Sequence, residues 1–234
     1  MTPSTSSRSI TNGVDAKAED YYEISPYVYC GGDPVNKGDY NGREVLVYIE
    51  TTGVGHTFIA TGKGENTTVY TYGRYGATDP SSGSGPSSSG EGVLWVKTGE
   101  SAAEYVNMEL NENNAHVFAF PQVQDSEVDA YFMGLFNSSN ETPTGKYKGP
   151  ANEARVIDQY TLYGSNCTTI ALAALGSCGI DVISFYSISP VGLLEELCKQ
   201  TFWEDIKSIF GIERKIEEVS PEKIKQEMSK DEEN

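Results

Sequence analysis

Cys167 is the residue in this chain whose type and setting most invite nucleophilic chemistry. It follows Tyr160 to Asn166, a polar and glycine-containing stretch suited to a turn, and precedes Thr168, Thr169 and the apolar run Ile170 to Leu175. That pattern predicts a buried helix with Cys167 on its first turn. There the unpaired N–H groups and the positive end of the helix dipole favour a thiolate over a thiol. A cysteine so placed is a candidate nucleophile, with its own N–H as an oxyanion donor. It is also a small apolar residue that packs well at a helix start. Asn166 is placed to cap the helix.

A thiol nucleophile needs a base that removes its proton and later protonates the leaving group. The chain has two histidines. His116 lies inside the apolar run Ala115 to Phe120 and reads as a half-buried strand residue. His56 is the better base, because it opens the run His56 to Ala60, next to a strand at Glu44 to Glu50. A glycine-rich turn, Thr61 to Asn66, then leads into a strand at Thr67 to Tyr72, which makes a hairpin with His56 at its mouth. Residues near Tyr72, Gly73 and Arg74 fall across from His56. The Tyr72 hydroxyl is therefore the candidate third group that orients the imidazole. The expected catalytic set is Cys167, His56 and Tyr72.

The remaining chain supplies the scaffold. Gly92 to Lys97 reads as a strand, Glu100 to Leu110 as a helix, and Ala115 to Phe120 as a strand ended by Pro121. Asp125 to Phe136 reads as an amphipathic helix and Asn137 to Asn152 as a polar loop. Ile180 to Tyr186 is a short apolar strand or loop. Ser189 and Pro190 make a helix start, with serine at the cap and proline in the first turn. Leu193, Leu194, Leu197, Phe202, Ile206, Ile209 and Phe210 fall on one side of that helix, which is expected to break near Thr201. The simplest use of the stripe is packing on the domain; a membrane-surface or partner-binding helix is the sharper one. Residues 79–90 form a low-complexity Ser/Gly/Pro loop, read as a connector. Pro221 to Asn234 reads as a frayed helix running into a charged tail.

A glycine and histidine on an early strand, with Asn-Cys-Thr-Thr much later at a helix start, resemble the circularly permuted branch of the NlpC/P60 papain-like superfamily. In that branch the histidine precedes the cysteine, as Gly55-His56 and Asn166-Cys167 do here. The resemblance covers roughly residues 44 to 180. It implies an α+β papain-like fold, an antiparallel sheet packed against a cysteine-bearing helix, and a cysteine-dependent amidase, peptidase or acyltransferase. A second resemblance lies upstream. Ser25, Pro26, Tyr27, Tyr29, Pro34, Val35 and Asn36, followed by Gly42 and Arg43, are similar to the motif that closes the Rhs-repeat core. Asp33 stands where asparagine is usual, and Gly38 to Gly42 depart from the usual Asp-Pro-x-Gly. In Rhs proteins that motif precedes a variable C-terminal toxin. The resemblance thus implies an effector domain from residue 44 onward, peptidoglycan peptides as substrate, and an immunity protein as partner. Two alternatives remain open: the same fold acting on lipids, and a catalytically inactive binding module.

The 234 residues suffice for one domain with a substantial core. The expected division is a polar N-terminus and Rhs-like junction at 1–43, a papain-like domain at 44–211 and a charged tail at 212–234. A net charge of −17 argues against nucleic acid or anionic membrane as a nonspecific partner. No stretch approaches the roughly 18 apolar residues of a membrane-spanning helix, so stable membrane insertion is not expected. The first residues lack the hydrophobic core of a secretory signal. The expectation is synthesis in the cytoplasm without a signal peptide, followed by secretion or delivery into another cell by another route. Cys30, Cys167, Cys178 and Cys198 show no metal-binding spacing with the histidines. No cofactor is expected; free thiols are the simplest reading, with a disulfide through Cys30 or Cys198 left open.

Overall fold

The computed structural model of the chain describes residues 45–74, 89–144, 153–180, 188–209 and 216–230. The Rhs-like segment, Cys30, the Ser/Gly/Pro loop up to residue 88 and residues 181–187 lie outside these. The chain divides into two units, Met1–Gly42 and Arg43–Asn234, and the described residues all belong to the second.

Among the described residues, seven strands form one antiparallel sheet in the order β6-β4-β3-β2-β1-β5-β7. They are β1 (Val45–Glu50), β2 (His56–Thr61), β3 (Thr68–Gly73), β4 (Gly90–Thr98), β5 (His116–Phe120), β6 (Ala154–Tyr160) and β7 (Glu217–Val219). The helices are α1 (Glu100–Glu112), α2 (Asp125–Asn137), α3 (Cys167–Ser177), α4 (Pro190–Ile209) and α5 (Pro221–Lys230). The mixed α+β class expected from the sequence is thus the observed one.

Strand alternation divides the core into two layers. On one face Val45, Val47, Ile49, Ile59, Tyr70, Tyr72 and Leu94 pack with Phe132 of α2, Ala171 and Leu175 of α3, and Leu193 and Leu197 of α4. On the other, Tyr48, Phe58, Ala60 and Val69 pack with Ala102, Val106 and Leu110 of α1 and Ile224 of α5. Because β1 and β2 are covered on both sides, their sequences read as near-continuous apolar runs instead of alternating ones. Two aromatic stacks join neighbouring elements: Tyr70 of β3 on Phe132 of α2 at 4.6 Å between centroids, and Tyr48 of β1 on its cross-strand neighbour Phe58 of β2 at 4.5 Å. Each adds about 1 kcal/mol beyond the area it buries.

Glycine conformation sets the turns. Gly55, at φ +74°, enters β2, and a Cβ there would come within 2.8 Å of both the Glu50 carbonyl and the Pro190 side chain. The β1–β2 turn thereby sits against the start of α4. Ser189 caps α4 as expected, accepting from Gly192 N–H at 3.1 Å.

Three expectations need correction. The helix from Pro190 runs unbroken to Ile209, without a break near Thr201. Residues 154–160 form β6 and pair with β4, a strand the sequence reading lacked. Part of the expected charged tail belongs to the domain, since β7 pairs with β5 and Val219 and Ile224 are buried. Three residues are too short to show a strand pattern, so β7 is defined by its neighbour β5 alone.

Candidate active site

Helix α3 begins at Cys167, and a complete capping box fixes its first turn. The Asn166 side chain accepts from Thr169 N–H at 2.9 Å, while the Thr169 hydroxyl accepts from Asn166 N–H at 2.9 Å. The Asn166 amide also donates to the carbonyls of Leu162 at 2.7 Å and Ile188 at 3.0 Å. One side chain therefore joins the turn before α3, the helix itself and the segment leading into α4. The capping role read from the sequence is the observed role.

Cys167 is buried, at 4% exposure. Burial holds its thiol above the usual range, against the lowering effect of the Thr57, Thr168 and Cys167 backbone amides and of the Thr168 hydroxyl, which lies 4.0 Å from the sulfur. The resting group is thus a neutral thiol at neutral pH, surrounded by donors that favour the anion once formed. Cys178 and Cys198 are free thiols, as is Cys167.

Thr57 immediately follows His56, so α3 brings Cys167 to the strand that carries the candidate base. The two side chains, however, leave that strand differently. His56 shares its face with Phe58, against which its ring stacks at 6.2 Å. Its Nε2 meets the Thr71 hydroxyl at 2.7 Å, and Thr71 meets the Tyr105 hydroxyl of α1 at 3.2 Å. This is the α1 face. Thr57 points to the α3 face, where its hydroxyl lies 3.2 Å from that of Thr168. The period of two along β2 thus directs the imidazole away from the layer that holds Cys167, and the expected Cys167–His56 dyad is not assembled in this arrangement. Burial lowers the His56 pKa to about 4, so the imidazole is neutral at pH 7, the protonation state of a general base. Glu50 lies opposite His56 in the ladder, and its carboxyl is raised by burial and by Glu109, against the lowering effect of Thr52 N–H.

Tyr72 is the second correction. The register pairs Phe58 with Thr71, so its continuation places Gly73 across from His56, as the hairpin reading required. Yet the side chain that reaches the imidazole is Thr71, diagonally placed on the same face, while Tyr72 faces α3. The Tyr72 hydroxyl donates to Asp158 of β6 and lies 3.2 Å from Ser165 Oγ, which also donates to Asp158. Gly92 makes room for this group: a Cβ there would collide with the Tyr72 hydroxyl and the Asp158 carboxylate. Burial pushes the Tyr72 hydroxyl far up, and Asp158 adds to the shift. Tyr160 is raised to about 12 by burial and by its nearness to Cys167, with Arg74 acting the other way. Tyr72 is therefore a neighbour of the turn before Cys167 and not the orienter of His56.

His116 opens β5 as a strand residue, but it is exposed and not half-buried. Its Nδ1 lies 3.6 Å from a Glu218 carboxylate oxygen on β7.

Sequence reasoning missed Thr71, Thr57, Thr168, Asp158 and Ser165. The strand period, applied across the hairpin, signals Thr71; the helix start signals Thr168. Nothing local signals Asp158, whose strand went unrecognised. Comparison of the chain with protein-family models, curated proteins and solved structures finds no match.

Proposed function

We propose that this domain is a cysteine-dependent hydrolase or acyl-transfer enzyme in which Cys167 attacks an amide or ester carbonyl. The observation that supports it is the place of Cys167 on the first turn of a capped helix docked on β2, with the amides of that turn and the Thr168 hydroxyl, 4.0 Å from the sulfur, beside it. Cys167 and the strand that carries His56 thus come together from widely separated parts of the chain, with the imidazole on the opposite face of that strand. The same amides are suited to receive negative charge on an acyl oxygen.

In this reading His56 leaves Thr71 and takes the Cys167 proton from the end of its strand. His56 is the first residue of β2 and follows a glycine in the left-handed region. It is paired to β1, while the described pairing with β3 begins at Phe58. The papain-like assignment and the delivered effector acting on peptidoglycan peptides, with an immunity protein as antagonist, rest on the resemblances carried by residues 25–43, 55–56 and 166–169.

A second reading has its own observation. The direction of the His56 side chain and the burial of Cys167 favour a catalytically inactive binding module. Exposed Phe202 and Trp203 on α4, at 61% and 60% exposure, favour the lipid-directed variant of the enzyme.

The deciding experiment is site-resolved iodoacetamide labelling of Cys167 as a function of pH, in the wild type and in His56→Ala. The enzyme reading expects labelling at pH 7 to slow about tenfold or more without His56, consistent with the worth of general-base assistance. An unchanged profile removes His56 from the chemistry, and the binding-module reading then leads. Peptidoglycan fragments and phospholipid vesicles, each incubated with the wild type and Cys167→Ala, separate the substrate classes by the product released.

A further inference from the structure

Two fully buried threonines, one beside the Cys167 sulfur and one beside its neighbour, lie between β2 and the start of α3. Thr57 and Thr168 are 1% and 0% exposed. Their oxygens are 3.2 Å apart, and Thr168 Oγ1 is 4.0 Å from Cys167 Sγ. Thr57 reaches this place because alternation along β2 turns it toward α3, and Thr168 because it is the second residue of that helix. Buried hydroxyls are normally hydrogen-bonded, and each can donate one proton while accepting at two lone pairs. The two oxygens and the sulfur are linked in series, in the layer that also holds the apolar side chains of Ile59 and Ala171.

We infer that Thr57 and Thr168 are positioning residues that act as a reversible two-hydroxyl relay, stabilising the thiolate of Cys167. With a neutral thiol, S–H donates to Thr168 and Thr168 to Thr57. With a thiolate, Thr57 donates to Thr168 and Thr168 to sulfur. The switch needs only rotation of two O–H bonds and no movement of heavy atoms, so it costs little reorganisation within a packed core. The relay neither stores nor removes the thiol proton; under the proposed function that proton goes to the His56 imidazole. The inference rests on the reading of Cys167 as a nucleophile, and it assigns part of the thiolate's stability to the strand residue beside the histidine.

Labelling of Cys167 across a pH series tests it with Thr168→Val, Thr168→Ser and Thr57→Val. Valine keeps the shape and removes the hydroxyl, while serine keeps the hydroxyl. Loss of a hydrogen bond to a charged group is expected to raise the labelling midpoint by about one pH unit, or about tenfold slower labelling at pH 7, in Thr168→Val. Thr168→Ser is expected to stay within about threefold of wild type, and Thr57→Val to show a smaller shift in the same direction, since it polarises sulfur only through Thr168. A cooperative unfolding transition is required of each variant; should Thr168→Val lack it, Thr57→Val against wild type carries the test. Profiles unchanged by both valine substitutions overturn the relay, as does a Cys167 that stays inert in every protein. The two ideas fail separately. A shift in Thr168→Val with none in His56→Ala keeps the relay and removes the base; the reverse result keeps the base and removes the relay.

Discussion

The two faces of the sheet hold their polar groups in contrasting ways. On the α3 face, Cys167 sits among amides and hydroxyls, and close by Tyr72, Ser165 and Asp158 join β3, β6 and the turn before the helix. On the α1 face, His56 is held by Thr71 and Tyr105, with Glu50 and Glu109 nearby. On one face burial holds a thiol protonated against the pull of its donors; on the other it keeps an imidazole neutral. The residues that belong to the two faces alternate along the same strand, and His56 and Thr57 are chain neighbours. Proximity in a fold thus has a direction as well as a distance, and strand parity decides it.

The sharpest way to probe the α1 face is through pH. His56 has a folded pKa of about 4, below its ordinary value of 6.5. Between those values the unfolded chain binds a proton that the folded one does not, so stability rises with pH across that window. The contribution is complete above about pH 6.5 and is lost as pH falls toward 4. It amounts to at most about 3 kcal/mol, from the 1.36 kcal/mol that each pH unit represents. Urea denaturation of wild type and His56→Gln at pH 7 and pH 4.5 checks this: the wild type is expected to lose more stability on acidification than the variant. Equal losses would mean that the imidazole is not enclosed as described.

Next in size is a break on the α3 face. Gly92→Ala is expected to force Tyr72 and Asp158 apart and to cost about 2 kcal/mol, the range of overpacking in a tight site. Because Ser165 shares Asp158, the same change is expected to alter Cys167 labelling as well as the denaturation midpoint. An effect on stability alone would confine that polar group to holding β3 and β6 together.

The smallest effect sharpens the contrast between the faces. Thr71→Val removes a hydrogen bond to His56 and one to Tyr105, at a cost of about 1 kcal/mol. In the arrangement described, it takes the Thr71 hydroxyl away from the imidazole and leaves the environment of sulfur untouched. Denaturation is expected to report the loss while Cys167 labelling at pH 7 is unchanged or faster. Slower labelling would show that Thr71 supports the thiol through His56, and that the two faces work as one.

Much of the scaffold was legible because local patterns are strong there. The β1 to β3 segment, the strand at β4, the helices α1 and α2 and the Asn166 cap follow from apolar runs, glycine turns and capping residues. β6 was not, because it alternates only briefly before Asp158 and Gln159 and is held by β4. The continuity of α4 past Thr201 was also hidden, since helix propensity around that residue is weak and its packing lies at Leu193 and Leu197, earlier in the helix.

For the candidate site, the sequence by itself determined that Cys167 begins a capped helix and that His56 begins a strand of a hairpin, since caps, glycines and periodicity act over a few residues. Only the tertiary structure decided that α3 docks on the face of Thr57 and α1 on the face of His56. Both faces of β2 carry side chains that can be buried, so the local pattern does not say which layer each helix covers. That choice comes from packing across the whole sheet, where Tyr70, Phe132, Leu175 and Leu193 fill one side and Tyr48, Phe58 and Val106 the other.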